Sequence, residues 1–247
     1  MKPLVDIVIP TFNQPELTRK CFESIARSGV QNKVRLIWVD NGSETWPLIL
    51  EALASTGLHS QQFLLGENLG FVKATNLGMA ASTAPFVLLL NNDTELWPGW
   101  LEKFLDTMDR HNDVGIVGPW ATPAQTQWQS VRPRSQLRGT WQGQTYLLEP
   151  ERMLGFFCAL IRRAVILDIG YLSEEWGPGW GDDDDYCARA QLAGWQLAGR
   201  DDVEVLHHGG ATFNAAYAPE EWSKIRTANL ERLRKKWPQF DPRARQR

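Results

Sequence analysis

The stretch LVDIVIPTFNQPELTRKCFESIARSGVQNKVRLIWVDNGS, Leu4 to Ser43, decides the fold. Its outer parts, Leu4 to Ile9 and Val34 to Val39, are short apolar runs rich in β-branched residues, and between them Glu16 to Ser28 carries apolar residues at helical spacing. Strand, helix and strand in that order make a βαβ unit, with parallel strands and a right-handed crossover. Moving outward, the pattern predicts a strand at Phe63 to Leu65, a helix over Val72 to Ala81 and a fully buried strand at Pro85 to Leu90. Such alternation predicts an α/β chain whose central sheet is mostly parallel and flanked by helices.

Ligands of open parallel sheets gather beyond the carboxyl ends of the strands. Pro10-Thr11-Phe12-Asn13 follows the first strand, Asp40-Asn41-Gly42-Ser43 the second, and Asn91-Asn92-Asp93-Thr94-Glu95 the buried one. Three polar clusters are therefore expected on one edge. From Pro119 to Pro150 the chain is polar, Gln-rich and Trp-containing, too long for an ordinary connection, and reads as a functional loop with short strands or a partly mobile one. Met153 to Ile169 is apolar again, and a helix begins in the acidic run WGPGWGDDDDYCAR, Trp176 to Arg189. Val203 to Leu206 reads as a short strand leading into His207-His208-Gly209-Gly210. Glu220 to Trp237 is an amphipathic helix whose basic end, Arg232 to Lys236, reads as a solvated face or a contact with anionic lipid or another subunit.

With 247 residues, 43% of them hydrophobic, the chain can bury one sizeable core. Its 26 basic and 29 acidic side chains leave a formal charge of −3, which excludes a field drawing the whole chain to nucleic acid or anionic lipid. Cys21, Cys158 and Cys187 are scattered without metal-ligand spacing, so a reducing, cytoplasmic setting is expected. No apolar run approaches the roughly 20 residues of a spanning helix, and the first residues lack the form of a signal peptide. Membrane contact is expected to be peripheral at most, at the inner face.

Each cluster has an ordinary reading beside a functional one. Asp40 can accept the imide N–H of a uracil or thymine, but Asp-Asn-Gly-Ser is also strong turn chemistry. Gly70 before a helix lets a ligand approach the backbone, yet Asn68-Leu69-Gly70 is equally a loop and Lys73 a solvated charge. Four aspartates at a helix start suit the exposed amides and the macrodipole without any chemistry. Adjacent histidines at a strand end are commonly just polar residues.

Taken together, VDIVIPTFNQPELTRKCFESI, WVDNGS, ENLGFVKATNLGM, VLLLNNDTEL, GYLSEEWGPGWGDDDDYCARAQLAGW and VLHHGGAT, in this order from about residue 4 to about residue 212, resemble the family 2 glycosyltransferases. The look is nearest to bacterial rhamnosyl- and N-acetylglucosaminyl-type members, and NLERLRKKWP is similar to the family's tail. The resemblance implies one domain of the GT-A fold: a nucleotide-sugar half over about 1–118, an acceptor and catalytic half over about 119–219, and a basic helix and tail over 220–247. It implies inverting transfer from a UDP- or dTDP-sugar to a hydroxyl of a saccharide or glycoconjugate, with Mn²⁺ or Mg²⁺ as cofactor. A nucleic acid acceptor is disfavoured by charge without being excluded.

Residue by residue, the resemblance puts Pro10, Thr11, Asn13 and Asp40 at the base, and Asn68, Gly70, Lys73 and Asn76 beside the nucleotide-sugar. Asn91 stands where the family usually begins Asp-x-Asp and would bond a ribose, with Asn92 next to it and Asp93 as the direct metal ligand. The family's His-x-x-Gly-x-Ser/Thr matches His207, Gly210 and Thr212, favouring His207 over His208 as the second ligand. Aligned on Gly-Glu-Asp-x-Asp, Asp182 takes the glutamate's place, Asp183 is the base and Asp185 the later aspartate. On a helix Asp182 and Asp185 share a side with Tyr186 and Arg189, whereas Asp183 turns toward Cys187 and Ala190. The run is expected to be partly solvated, with mutual repulsion raising the proton affinity of at least one carboxylate. Glu174 follows Ser173 where the family has Asp-Glu, and Trp176 and Trp180 either floor the acceptor site or bury the turn. Two rival classes are weighed. A nucleotidyltransferase would want a glycine-rich basic loop that IPTFNQPELTR lacks, and a non-catalytic nucleotide-sugar-binding module needs neither Asp183 nor His207.

Overall fold

The computed structural model describes residues 2–122, 143–149 and 152–239, so most of the Gln-rich segment lies outside the described residues. The opening stretch folds as β1 (Val5–Thr11), α1 (Pro15–Arg27) and β2 (Val34–Asn41), the strands pairing in parallel from Val5 with Val34 to Thr11 with Asp40. Pro15 opens α1, where a missing N–H costs nothing. The pattern continues through α2 (Trp46–Ser55), β3 (Ser60–Leu65), α3 (Phe71–Ala81) and β4 (Phe86–Leu90), and β3, β2, β1 and β4 lie side by side, all parallel.

After β4 the architecture changes. The chain runs through β5 (Thr94–Leu96), α4 (Trp100–Arg110), β6 (Val114–Thr122), β7 (Thr145–Leu147), β8 (Cys158–Arg162), α5 (Arg163–Ile169), a 3-10 turn at Glu174–Trp176 and α6 (Asp182–Leu192). It ends in β9 (Gln196–His207), α7 (Ala211–Ala216) and α8 (Pro219–Lys236). The strand order is β3-β2-β1-β4-β8-β6-β9-β5, with β7 on β9. Here β8 is antiparallel to both β4 and β6, and β5 and β7 are antiparallel to β9, while β6 and β9 are parallel. The sheet is therefore mixed, parallel throughout only up to β4. β9 is also longer than the expected Val203 to Leu206. Its first half reads QLAGRDD, and its charges are neutralised within the fold: Arg200 reaches Asp106 at 2.8 Å and Asp202 at 2.6 Å.

Two apolar layers sandwich the sheet. Val5, Ile7 and Ile9 face one side with Phe22, Trp38, Trp100 and Phe104; Val8 faces the other with Ile37, Val72, Met79, Trp176 and Tyr186. This strict alternation follows from the two-residue period of a strand. Asp6 is the polar exception in β1. Its buried carboxylate accepts Nε and Nη2 of Arg35, both at 2.8 Å, and the amides of Thr83 and Ala84. It lies at the start of β1, the end of the sheet opposite the polar clusters. Among the described residues no helix is long and apolar enough to cross a membrane.

Candidate active site

The ends of β1 and β2 are tied to one another. Thr11 Oγ1 accepts the indole N–H of Trp38 at 2.8 Å and donates to Asp40 at 3.3 Å, while the other oxygen of Asp40 accepts the Ser43 amide at 2.9 Å. Asp40 thus does perform the turn chemistry of Asp-Asn-Gly-Ser. Asn13, at a left-handed φ of 54°, donates its amide to Ser43 Oγ at 2.7 Å and accepts the Glu44 amide on its side chain at 3.1 Å. Gly42 is required where it stands, because a Cβ would meet the Glu67 carbonyl carbon at 2.5 Å. That close approach brings in the 67–70 loop. Asn41 donates to Asn68 Oδ1 at 2.8 Å and accepts the Leu69 amide at 2.9 Å, and Asn68 Oδ1 also accepts the Gly70 amide at 2.9 Å.

These loops form one wall of an open cleft whose space, continuous with solvent, is about 610 Å³. Thr11, Asn68, Asn91 and Asp93 line that wall, and Pro178, Gly210, Phe213 and Tyr217 stand across from them. Pro10, Gly70 and Asn92 line it as well, whereas Asn13, Asp40, Lys73 and Asn76 do not. Lys73 is exposed. Asn76 makes a brace: its side-chain amide donates to the Leu172 carbonyl at 2.9 Å and accepts the Leu172 amide at 3.0 Å.

The cluster after β4 divides its work. Asn92 donates to Thr18 Oγ1 at 2.9 Å and accepts Thr212 Oγ1 at 3.0 Å, so it joins α1 to the start of α7. The Oδ1 of Asn91 is buried and has no hydrogen-bond partner, leaving it to a ligand of the cleft. Antiparallel pairing of β5 with β9 sets Thr94 opposite His207, and this register brings His207 Nε2 within 3.3 Å of Asp93 Oδ1. The contact is not aligned as a hydrogen bond, and neither imidazole nitrogen has a partner although the ring is only 1% exposed. Phe157 stacks on it with centroids 4.8 Å apart. Orphaned nitrogens in a buried ring cost free energy. A carboxylate and an imidazole held together this way fit a Mn²⁺ or Mg²⁺ whose remaining ligands are diphosphate oxygens and water. His208 turns away, its ring bonding Glu95 at 3.3 Å, so His207 is the histidine that meets Asp93. Among the described residues no group of three or more ligating side chains occurs.

The acidic run is a surprise. Asp182, Asp183, Asp184 and Asp185 are 4%, 7%, 3% and 0% exposed, so none of them is solvated. Asp183 accepts the Asp184 amide at 2.9 Å. Asp185 is structural: Arg189 Nε at 3.0 Å, the Trp237 indole at 2.9 Å and Lys236 Nζ at 2.8 Å all reach its carboxylate. Burial alone would raise its pKa, but these donors outweigh burial and hold it below the usual value, opposite to the shift that repulsion within the run predicts. Trp176 is fully buried and serves the turn, not an acceptor. Trp180 stays partly exposed, at φ 75°, with the Arg226 guanidinium 5.5 Å from its ring centroid. Glu174 is exposed and lies outside the cleft. Pro178 carries this turn to the cleft wall, and α6 begins four residues later; Asp182 and Asp183 are not among the residues that line the cleft.

The family model described as glycosyl transferase family 2 matches residues 6–170. The chain belongs to that family. Its relatives include the uncharacterized protein y4gI of Sinorhizobium fredii, 26% identical over 97% of this chain and 28% of that protein. An N-acetylglucosaminyltransferase of Bradyrhizobium elkanii is 30% identical over 47% of this chain and 64% of its own. Among solved structures, S. aureus TarS 1-349 in complex with UDP-GlcNAc superposes with a TM-score of 0.67 at 16% identity, covering 95% of this chain and 71% of that one. The mannosyltransferase PcManGT from Pyrobaculum calidifontis, in complex with GDP-Man and Mn²⁺, gives 0.60 at 18%, covering 94% and 72%. At such identities the likeness establishes the GT-A fold. This family 2 chain spans about a quarter of the length of y4gI and under two thirds of the B. elkanii enzyme. The acidic turn, α7 and α8 lie beyond the matched segment.

Three contributors to this region escaped the sequence reading: Asn229, Arg232 and Lys236, all on α8. Arg232 is exposed and Lys236 half-buried, yet both engage the acidic turn. Both cations lie over the Trp176 ring at 5.8 Å, and Lys236 pairs with Glu175 and Asp185. Phe213 and Tyr217 were also missed, since only folding of α7 against the strand ends gives them a wall to form.

Proposed function

We propose that this chain is the transferase domain of an inverting glycosyltransferase that moves a sugar from a uridine diphosphate sugar to an acceptor hydroxyl, with a divalent cation held by Asp93 and His207. The observation that carries this reading is the buried imidazole with two partnerless nitrogens, 3.3 Å from a cleft carboxylate. UDP-GlcNAc is the first donor to try, in view of the B. elkanii relative and the ligand of TarS. The three buried free thiols are in keeping with a cytoplasmic setting.

In this scheme Asn91 Oδ1 accepts a ribose hydroxyl. Each Asp40 oxygen keeps a lone pair beyond its one bond, leaving an acceptor for the base imide. A bound divalent cation would offset the charge on the departing diphosphate. Asp183 takes the proton of the acceptor hydroxyl as that oxygen bonds to the anomeric carbon from the face opposite the diphosphate. Burial of Asp183 keeps bulk water from competing for the sugar. The acceptor is a saccharide or glycoconjugate hydroxyl, with Trp180 and the aromatic wall of Phe213 and Tyr217 as its nearest flat surfaces.

The test is release of UDP by purified protein supplied with UDP-GlcNAc, other UDP-sugars or dTDP-sugars, in Mn²⁺, in Mg²⁺ and in EDTA. Release that needs the cation supports the reading. A protein that ignores every sugar nucleotide with either ion present sinks it.

A further inference from the structure

Residues 176–181 hold an unusual backbone. Gly177, Gly179, Trp180 and Gly181 all have positive φ, at 60°, 135°, 75° and 97°. A tryptophan in that region costs roughly 1–3 kcal/mol and persists only where its surroundings over-determine it. The turn bonds itself only in part, the Gly179 amide reaching the Trp176 carbonyl at 3.3 Å, and three of its carbonyls take a donor from another element. Asn229 of α8, 5% exposed, answers them: its side-chain amide donates to the carbonyls of Trp176 at 3.1 Å, Gly179 at 3.1 Å and Trp180 at 3.0 Å. Its own oxygen accepts from Arg232 at 3.0 Å, and Arg232 also donates to the Glu175 carbonyl. From the cleft side the Phe71 amide donates to the Pro178 carbonyl at 3.1 Å. The turn is thus clamped between the first residue of α3 and the middle of α8.

The turn ends at Gly181, whose carbonyl receives the Asp185 amide at 3.0 Å and so sets the first turn of α6. Any relaxation of residues 179–181 therefore swings Asp182 and Asp183. Space is tight: a Cβ on Gly181 would sit 3.0 Å from the Trp176 ring, and one on Gly179 would sit 2.9 Å from Phe213. Trp176 is itself held under Arg232 and Lys236.

We infer that Asn229 is a positioning residue for the base: the clamp it makes on the strained turn fixes where the Asp183 carboxylate points. This rests on the reading of Asp183 given above. It assigns to α8 a part in the reaction, and not merely in stability.

The experiment compares wild type with Asn229→Asp, which keeps the shape of the side chain and loses its two donated hydrogens, using UDP release from UDP-GlcNAc or whichever sugar nucleotide the wild type turns over. Lys236→Met, at the edge of the same latch, serves as a milder second variant. A displacement of about 1 Å can cost on the order of 10²-fold in rate, so Asn229→Asp is expected to lose at least tenfold in kcat while donor KM and thermal stabilisation by UDP stay within about twofold. Hydrogen exchange over residues 176–185 should rise in the variant with no change at β1, β2 and β4. Lys236→Met should show the same split with a smaller loss. Unchanged kcat in both variants overturns the inference, and so does loss of UDP binding in step with activity in both, which marks α8 as a stability element only. A wild type that turns over no sugar nucleotide defeats the underlying reading instead, and the inference falls with it.

Discussion

The two walls of the cleft are built on different principles. The first, at the ends of β1, β2 and β4, stands on a parallel sheet whose loops are short and knit together by neighbours: Thr11 to Asp40, Asn13 to Ser43, Asn41 to Asn68. The second, made by the 176–181 turn with α6 and α7, rests on strained backbone and on the buried Asp185 carboxylate, which Arg189 of its own helix and Lys236 of the distant α8 compensate. Sheet ends make a rigid platform at little cost, since the ladder already satisfies the backbone. A wall assembled from turns must borrow partners, and what it borrows from decides its stability.

The contrast can be broken at several points. The largest effect is expected at Asp183 on the second wall. Asp183→Asn should lower kcat by about 10²–10⁴-fold, the usual worth of a general base, with UDP still raising the melting temperature as in wild type. Turnover surviving in that variant would shift the chemistry off α6. On β9, where it meets the first wall, His207→Ala should weaken activation by Mn²⁺ by more than the roughly 10–100-fold typical of losing a mere supporting contact, measured as the Mn²⁺ concentration for half-maximal UDP release. If the metal response stays put, the platform does not hold the ion.

Smaller effects separate the walls by stability. Asp185→Ala removes an acceptor shared by Arg189, Lys236 and Trp237, and should cost about 1–3 kcal/mol in urea unfolding, since bonds to charged groups are each worth roughly that much. The cations it leaves are partly exposed and regain water, which keeps the loss at that level. The smallest expected effect is on pH dependence. The Asp185 pKa is held below its ordinary 3.8, so its contribution is present above that pH and fades as pH falls through the lowered value. Burial would lower the Lys236 pKa, but its bonds to Asp185 and Glu175 raise it above 10.5, so its contribution is complete below 10.5 and is lost as pH rises beyond. Unfolding midpoints followed from pH 3 to 11 should therefore decline at both ends, and Lys236→Met should blunt the alkaline decline.

Legibility in the sequence follows the same division. The βαβ unit, β4 and the polar clusters could be placed because period and turn chemistry are local signals. His207 was separable from His208 only through the spacing to Gly210 and Thr212; in the fold His207 stacks on Phe157 and His208 turns toward Glu95. The first half of β9 was unreadable, because Arg200, Asp201 and Asp202 become strand residues only when Asp106, Thr107 and Gln144 meet them. Asp185 and Asn76 looked available because nothing near them in the chain says that Lys236 and Leu172 will claim them. A basic helix end reads as solvated in any sequence, so the role of α8 was hidden by the same logic.

One consequence of the β5 and β9 pairing remains. Val203, Val205 and His207 share the inward face of β9, and Asp93 immediately precedes the partner strand of three residues. The geometry of the two side chains is therefore a property of ladder register, so in the proposed reading the entropy of bringing them together is charged to folding and not to capture of an ion. A single residue inserted or deleted between Gln196 and Val203 would turn the imidazole to the outer side together with Val203 and Val205, so the placing of His207 and the packing of the core beneath it answer to the same register.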